Sequence, residues 1–373
     1  PLLKSILCVN GLYVFLGSFL TIQSVKLQVD LRFKEKGIIN VVNSISVGVI
    51  SILFAYNGFG VWSLVIPRFF SLFTGAFLYW HFMHWFPGVQ FSKDSAKSMF
   101  SFGSNLLVSC LLDTIYNNLY SIVIGKKFSS EDLGYYSKAS GFANLPSTTI
   151  TGVVGGVAFP ILSKIQFDET HLASVYRKLI KLSAFIVFPI MMGLAVLAKP
   201  FVCVLITEKW MESVPYLQIL CFALLLYPIH ALNLNLLQVK GRSDLFLRLE
   251  VIKKVLGVIV LVLTIPMGVL WMCIGLVIHS VLALFINTYY TGKLLQLNVV
   301  TQIKDLFPSF MYSAMMMGAI YLLTAFIKSY LLSLILGSVV GIGFYFTISY
   351  LFKSEEFQYL TIILKNNVIS KLR

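Results

Sequence analysis

Eleven apolar stretches, each long enough to cross a bilayer, follow one another with only short polar breaks between them. At 1.5 Å per residue, a helix needs about 20 mostly apolar residues to cover the hydrocarbon core. The chain supplies them over 2–24, 37–56, 60–81, 96–124, 133–162, 179–198, 216–237, 245–266, 269–290, 307–327 and 330–352. Charged residues make up 12% of the 373 positions, against about 25% in a soluble domain. An all-α polytopic membrane protein is the expected fold, and its work is done in or across a membrane.

The net charge of +14 does not point to nucleic acid, because the basic residues sit in short loops between apolar runs. Cys8, Cys110, Cys203, Cys221 and Cys273 lie in or beside apolar segments without paired spacing. They read as small core hydrophobes, not as a disulfide or metal framework.

A shift of 214 residues lays Pro1, Leu3, Lys26, Asp30, Leu31 and Lys34 on Pro215, Leu217, Lys240, Asp244, Leu245 and Arg248. Both copies read as apolar helix, short basic hairpin with one Asp, and apolar helix. A duplication of this kind is a common transporter plan, with the substrate path between the repeats. The second copy follows three helices. The first should too, so three further helices are expected ahead of Pro1, giving a two-lobed bundle of which this chain holds 11 of an expected 14 spans. The corresponding domains are 1–93 (remainder of the first lobe), 94–292 (second lobe), 293–352 (a trailing helix pair) and 353–373 (a cytoplasmic tail).

Lys and Arg in short loops set orientation. With the 24–37 hairpin in the cytoplasm, 19 basic residues fall on that side and 7 on the other. The C-terminus is then cytoplasmic. In the tail, Phe357, Leu360, Leu364, Val368 and Leu372 recur every three or four residues, with Lys365, Lys371 and Arg373 elsewhere. That spacing predicts an amphipathic helix on the anionic leaflet.

Polar groups are costly against lipid, so polar stripes on spanning helices face protein or a wet cavity. The fourth stretch carries Ser98, Ser101, Asn105, Ser109, Asp113, Asn117 and Ser121; the fifth carries Ser137, Ser140, Asn144, Ser147 and Thr151, with Pro146 inside it. Both stripes are expected to line a hydrated cavity between the two halves. Single Ser and Thr residues read first as helix-packing contacts. Ionisable groups at membrane depth are sharper signals: Arg68, Asp113, and His230 beside Asn233 and Asn235. Arg68 and Asp113 read either as substrate or ion contacts or as partners of other helices, and His230 as a hydrogen-bonded core residue before a ligand. Glu250, Lys253 and Lys254 open the eighth stretch, and both lysines can snorkel to the cytoplasmic face.

No GxxxxGK[ST], HExxH or CxxC motif occurs, and the loops are too short for a catalytic domain. The loop carboxylates, Asp132 and Asp168 among them, read as a solvated face. A transporter without catalytic residues and without a bound cofactor is expected.

Several stretches carry a resemblance, in order and along nearly the whole chain: Gln28–Lys34, Gly60–Val65, Ile124-Gly125 with Leu133–Ala139 and Leu145-Pro146, Phe159–Gln166, Glu208–Trp210, Pro215–Leu220 and Gly241–Leu245. Together they resemble the lipopolysaccharide and capsule polysaccharide flippases of the multidrug/oligosaccharidyl-lipid/polysaccharide exporter superfamily. The resemblance implies two six-helix lobes plus a trailing pair in the bacterial inner membrane, moving a polyprenyl-diphosphate-linked oligosaccharide outward by alternating access. It implies membrane lipids, and other polysaccharide assembly proteins, as partners, and leaves coupling to protons or sodium open. Family members often carry an acidic residue just before the Ile-Gly pair, where Asn117 and Asn118 stand here. Arg68 is the expected partner of the phosphates. The alternatives are an ion-coupled multidrug exporter of the same superfamily and a membrane polysaccharide polymerase.

Overall fold

The computed structural model describes residues 2–83, 85, 92–295, 297, 299–359 and 361. Among these the chain is helical, in the order α1 (Leu2–Val29), α2 (Phe33–Tyr56), α3 (Trp62–Met83), α4 (Lys93–Lys127), α5 (Ser130–Lys164), α6 (Glu169–Val196), α7 (Ala198–Ile206), α8 (Ser213–Leu224), α9 (Tyr227–Val239), α10 (Ser243–Thr264), α11 (Val269–Leu295), α12 (Val299–Ala325) and α13 (Tyr330–Leu351). Ten spans are long and apolar enough to cross a membrane, with α8 and α9 counted as one. Every expected stretch is helical. The remaining one, α10, is set apart by Arg248, Glu250, Lys253 and Lys254 within its 22 residues. The helices fall into two compact units, Pro1–Lys93 and Asp94–Arg373.

In the first unit α2 and α1 both pack on α3 around Leu27, Ile39 and Tyr79. Thr74 donates to Asn43 Oδ1 at 2.6 Å, and the Arg32 guanidinium reaches Glu35 and the Phe82 carbonyl. Most of the exposed side chains of α1 and α2 are apolar, the composition of a surface solvated by lipid.

The second unit is built on α6, whose buried face runs through Leu172, Tyr176, Ile180, Ala184, Val187, Met191 and Ala195. Steps of three and four place these on one stripe. It packs against α12, α5, α8 and α9. The last two helices belong to the same unit, with α13 packed on α12 and α7. Polar clips fasten α6 to α12 and to the segment after α13. Arg177 holds the buried Asp305 of α12 bidentately at 2.7 Å, and Lys181 reaches Glu355 at 2.8 Å. The Lys181 ammonium keeps the Glu355 carboxyl below the usual carboxylate range. Two loop carboxylates expected to be merely solvated have structural work: Asp132 closes a capping box with Ser129 at the start of α5, and Asp168 caps α6 by accepting from the His171 N–H. That backbone bond lowers the Asp168 pKa.

The two basic hairpins match in form but not at the expected offset. Arg32 N–H donates to Leu27 O and Leu31 N–H to Gln28 O; Arg242 N–H donates to Leu237 O and Gly241 N–H to Gln238 O. Each is a Schellman turn, with Leu31 (φ 57°) and Gly241 (φ 68°) in the left-handed position. The equivalent positions therefore lie 210 residues apart, not 214. Four residues are about one helical turn, so a sequence shift by that amount still lays apolar faces on apolar faces while misplacing the turn.

Of the expected amphipathic tail, 355–359 is helical and Phe357 packs on Phe346 and Tyr350. Leu360, Leu364, Val368 and Leu372, with the basic residues among them, lie outside the described residues, as does the side chain of Ser98.

Candidate functional site

A hollow of about 580 Å³ opens inside the second unit, walled by α4, α5, α8, α9, α10 and α11. It falls in the size range of small-molecule sites. Four charged side chains lie on one wall. Asp113, in the middle third of α4, meets Lys254 Nζ of α10 at 2.5 Å and accepts from Asn117 Nδ2 at 3.0 Å. Lys254 also lies 3.7 Å from Glu250 and 4.5 Å from the centre of the Tyr116 ring. Behind it, Glu250 and Lys253 pair at 2.5 Å, with side chains 7% and 8% exposed. A lysine that reached water by snorkelling would leave this cluster. Both lysines turn inward instead, because the helix repeat puts Glu250 three and four residues away.

The opposite wall is neutral. Ser140, Asn144 and Thr148 of α5 line it, with the ring of Tyr136. Asn144 Nδ2 donates to the Ser140 carbonyl at 2.8 Å and to its hydroxyl at 3.1 Å. The hydroxyls of Tyr116 and Tyr120 are buried and make no hydrogen bond among the described residues. Tyr116 lies flat against Gly257, where a β-carbon would overlap its phenol. At the floor, His230 stands 3.3 Å from both the Ser280 hydroxyl and the Asn287 amide, and His279 is 3.0 Å from the Lys253 carbonyl.

The expected site residues divide. Ser109, Asp113, Asn117, Ser140, Asn144 and His230 face the hollow. Asn105 donates to Ser243 instead, tying α4 to the start of α10. Asn233 is 1% exposed and sealed among Tyr176, Thr291 and the Ile229 carbonyl. Ser147 donates to the Leu224 carbonyl at 3.2 Å. That carbonyl has no partner within its own helix, because Pro228, four residues on, lacks an N–H. The same proline separates α8 from α9. Thr151 hydrogen-bonds to its own helix, and Ser137 is exposed away from the hollow. Arg68 is exposed in the first unit. Glu250, Lys253 and Lys254, the charges that open the eighth apolar stretch, also line the hollow, and Tyr116, Tyr120, Tyr136, Thr148, Tyr227, His279 and Ser280 join it without having been expected. The tyrosines were hidden because they count as apolar in a hydropathy reading. Tyr116 and Tyr120 nevertheless sit three residues beyond Asp113 and Asn117, on one helix face.

A second hollow, between α6, α7, α12 and α13, is almost entirely carbon-lined and presents no charge. Among the described residues no group of three or more His, Cys, Asp or Glu is placed to hold a metal ion.

Comparison with known proteins fits this architecture. Residues 1–215 match the family model described as "Polysaccharide biosynthesis protein". The teichuronic acid biosynthesis protein TuaB of Bacillus subtilis is 32% identical over 170 residues, 45% of this chain and 35% of TuaB. The lipopolysaccharide biosynthesis protein WzxC of Escherichia coli is 30% identical over 202 residues, 54% of this chain and 40% of WzxC. The chain thus spans well under half the length of these relatives. Its fold is shared with the lipid II flippase MurJ in an inward closed conformation: TM-score 0.67 and 18% identity, over 94% of this chain and 74% of MurJ. The family match covers more than half of the chain, and this multi-pass membrane protein belongs to the polysaccharide biosynthesis protein family.

Proposed function

We propose that the protein translocates a polyprenyl-diphosphate-linked oligosaccharide across the bacterial cytoplasmic membrane by alternating access, with its C-terminus in the cytoplasm. The observation that carries this reading is the hollow itself: four charged side chains with a lining of hydroxyls, amides and tyrosines, enclosed by six helices of the second unit. Charges at membrane depth are expensive unless they serve a polar path. A sugar headgroup cannot enter hydrocarbon, and such a lining replaces its water. The α5 wall offers hydrogen bonds to sugar hydroxyls, and the α10 lysines offer cations to a diphosphate. Relatives named for teichuronic acid and lipopolysaccharide biosynthesis are consistent with this cargo class.

No bond is made or broken in this scheme, and the protein is read as a transporter, not an enzyme. Arg68 stays a proposed phosphate contact within the first unit. Coupling to a proton or sodium gradient is likewise proposed, and collapse of either gradient in vesicles tests it. Drug export would use the same fold. A cationic drug, however, needs a free carboxylate, and Asp113 and Glu250 each already hold a lysine.

The test is reconstitution of the intact protein in proteoliposomes with a fluorescent lipid-linked oligosaccharide. Protein-dependent loss of headgroup accessibility on the loading side is expected. Export of cationic drugs with no movement of the glycolipid would overturn the reading.

A further inference from the structure

Resting on the translocation reading, we infer that Lys254 receives the diphosphate of the cargo and that Asp113 is its resident substitute, displaced when the headgroup arrives. The four charges on the cavity wall balance: Asp113 and Glu250 against Lys253 and Lys254. An ion entering this cavity gains a counter-charge only by displacing one that is already there. The geometry decides which one leaves.

The Glu250–Lys253 pair cannot be separated by any movement of helices, since both belong to α10 three residues apart, and both side chains are buried. The Asp113–Lys254 pair joins two helices. Its members are unequal. Lys254 is 15% exposed and keeps a contact on its own helix that does not involve α4, Glu250 at 3.7 Å. Asp113 is 44% exposed and keeps its bond from Asn117. Expelling Lys254 in favour of an incoming cation would leave two buried ammoniums, Lys253 and Lys254, to share the single carboxylate of Glu250, which is strongly unfavourable. Expelling Asp113 in favour of an incoming anion leaves a carboxylate that is already nearly half exposed and still hydrogen-bonded. The exchange is therefore one-sided: the wall admits anions and resists cations. Lys254 is held in place before the ligand comes, so little ordering is required on binding.

The helix that carries Asp113 is suited to letting go. α4 makes no extended backbone packing with any other helix among the described residues. It is held to α10 by side chains: Asp113 on Lys254, Asn105 on Ser243, and Tyr116 against Gly257.

The experiment measures binding of undecaprenyl diphosphate, and separately of inorganic diphosphate, to the intact protein in nanodiscs. Lys254→Met should weaken both by about tenfold or more, the worth of a charge-assisted bond. Asp113→Asn should tighten both by several-fold to about tenfold, because the competitor loses its charge. Opposite signs are the signature. A pair that only braces the fold would weaken binding in both variants, and that result overturns the inference, as does unchanged affinity in either. The doubly substituted protein, with no charge left unpaired, folds without the pair and should bind as weakly as Lys254→Met. Tightening seen for inorganic diphosphate alone would assign Lys254 to a free anion and overturn the lipid headgroup as its ligand. Translocation by the parent protein, measured in the same preparation, separates the two readings. If translocation persists while the binding signs fail, the exchange is wrong and the transport role stands; if the parent neither translocates nor binds, both fall.

Discussion

Two polar clusters at membrane depth in the same unit have opposite characters. Around Asn233 every strong bond closes: its Oδ1 accepts from Tyr176 at 2.9 Å and Thr291 at 2.6 Å, and its Nδ2 donates to Ile229 O at 2.9 Å. Around Asp113 the bonds reach across a hollow, and two tyrosine hydroxyls remain without partners among the described residues. Both clusters mix amides, hydroxyls and tyrosines; the Asp113 cluster adds two carboxylates and two ammoniums, and it alone is left open. A polar group whose bonds are all satisfied by fixed neighbours holds helices together, while one that faces open volume is available to a ligand.

That contrast can be broken by substitution. The largest effect is expected for Asn233→Leu, which strands the Tyr176 hydroxyl and should cost about 2–3 kcal/mol of stability. It should leave transport per folded molecule unchanged, checked by thermal unfolding in detergent alongside flipping in proteoliposomes. Lost transport at an unchanged melting temperature would erase the distinction. Tyr176→Phe removes one buried donor bond and should cost about 1 kcal/mol by the same unfolding measurement. Ser147→Ala leaves the Leu224 carbonyl bare and should cost up to about 1 kcal/mol, again without a transport defect. Smallest is Tyr120→Phe. This tyrosine is as buried as Tyr176, but its hydroxyl is unpaired, so the substitution should leave the melting temperature unchanged or raise it slightly. A destabilisation equal to that of Tyr176→Phe would show that the two clusters are the same kind of object.

The helices were legible because bilayer thickness imposes a length that soluble proteins do not need, and each apolar run is a helix. The side-chain partners were not, because hydropathy ranks residues one at a time and a cavity is a relation among helices. The α5 stripe is instructive. Ser140 and Asn144 reach the hollow, yet Ser147 is drawn to a carbonyl left bare by Pro228, 81 positions later in the chain. No periodicity within α5 encodes that. Asp113 stands out both by its depth and by its place in the α4 polar stripe. Its partner Lys254 is a charge at membrane depth for which snorkelling is the alternative, and the Glu250 spacing decides between the two by giving both lysines a reason to stay inside. The hairpin offset of 210 is a similar case, where apolar matching tolerates a one-turn slip and only the turn hydrogen bonds resolve it.

The charge density of α10 has a consequence for how the chain is made. Arg248, Glu250, Lys253 and Lys254 lie within seven residues of one another, and each charge at the centre of an isolated helix costs about 2.5–3.5 kcal/mol on insertion scales. The next helix, α11, has the highest mean hydropathy of the ten spans, 2.5. During synthesis α10 is therefore a poor passenger by itself and a good one as half of a hairpin, carried into the bilayer by the segment that emerges after it. The most polar wall of the cavity is delivered by the chain's most apolar span.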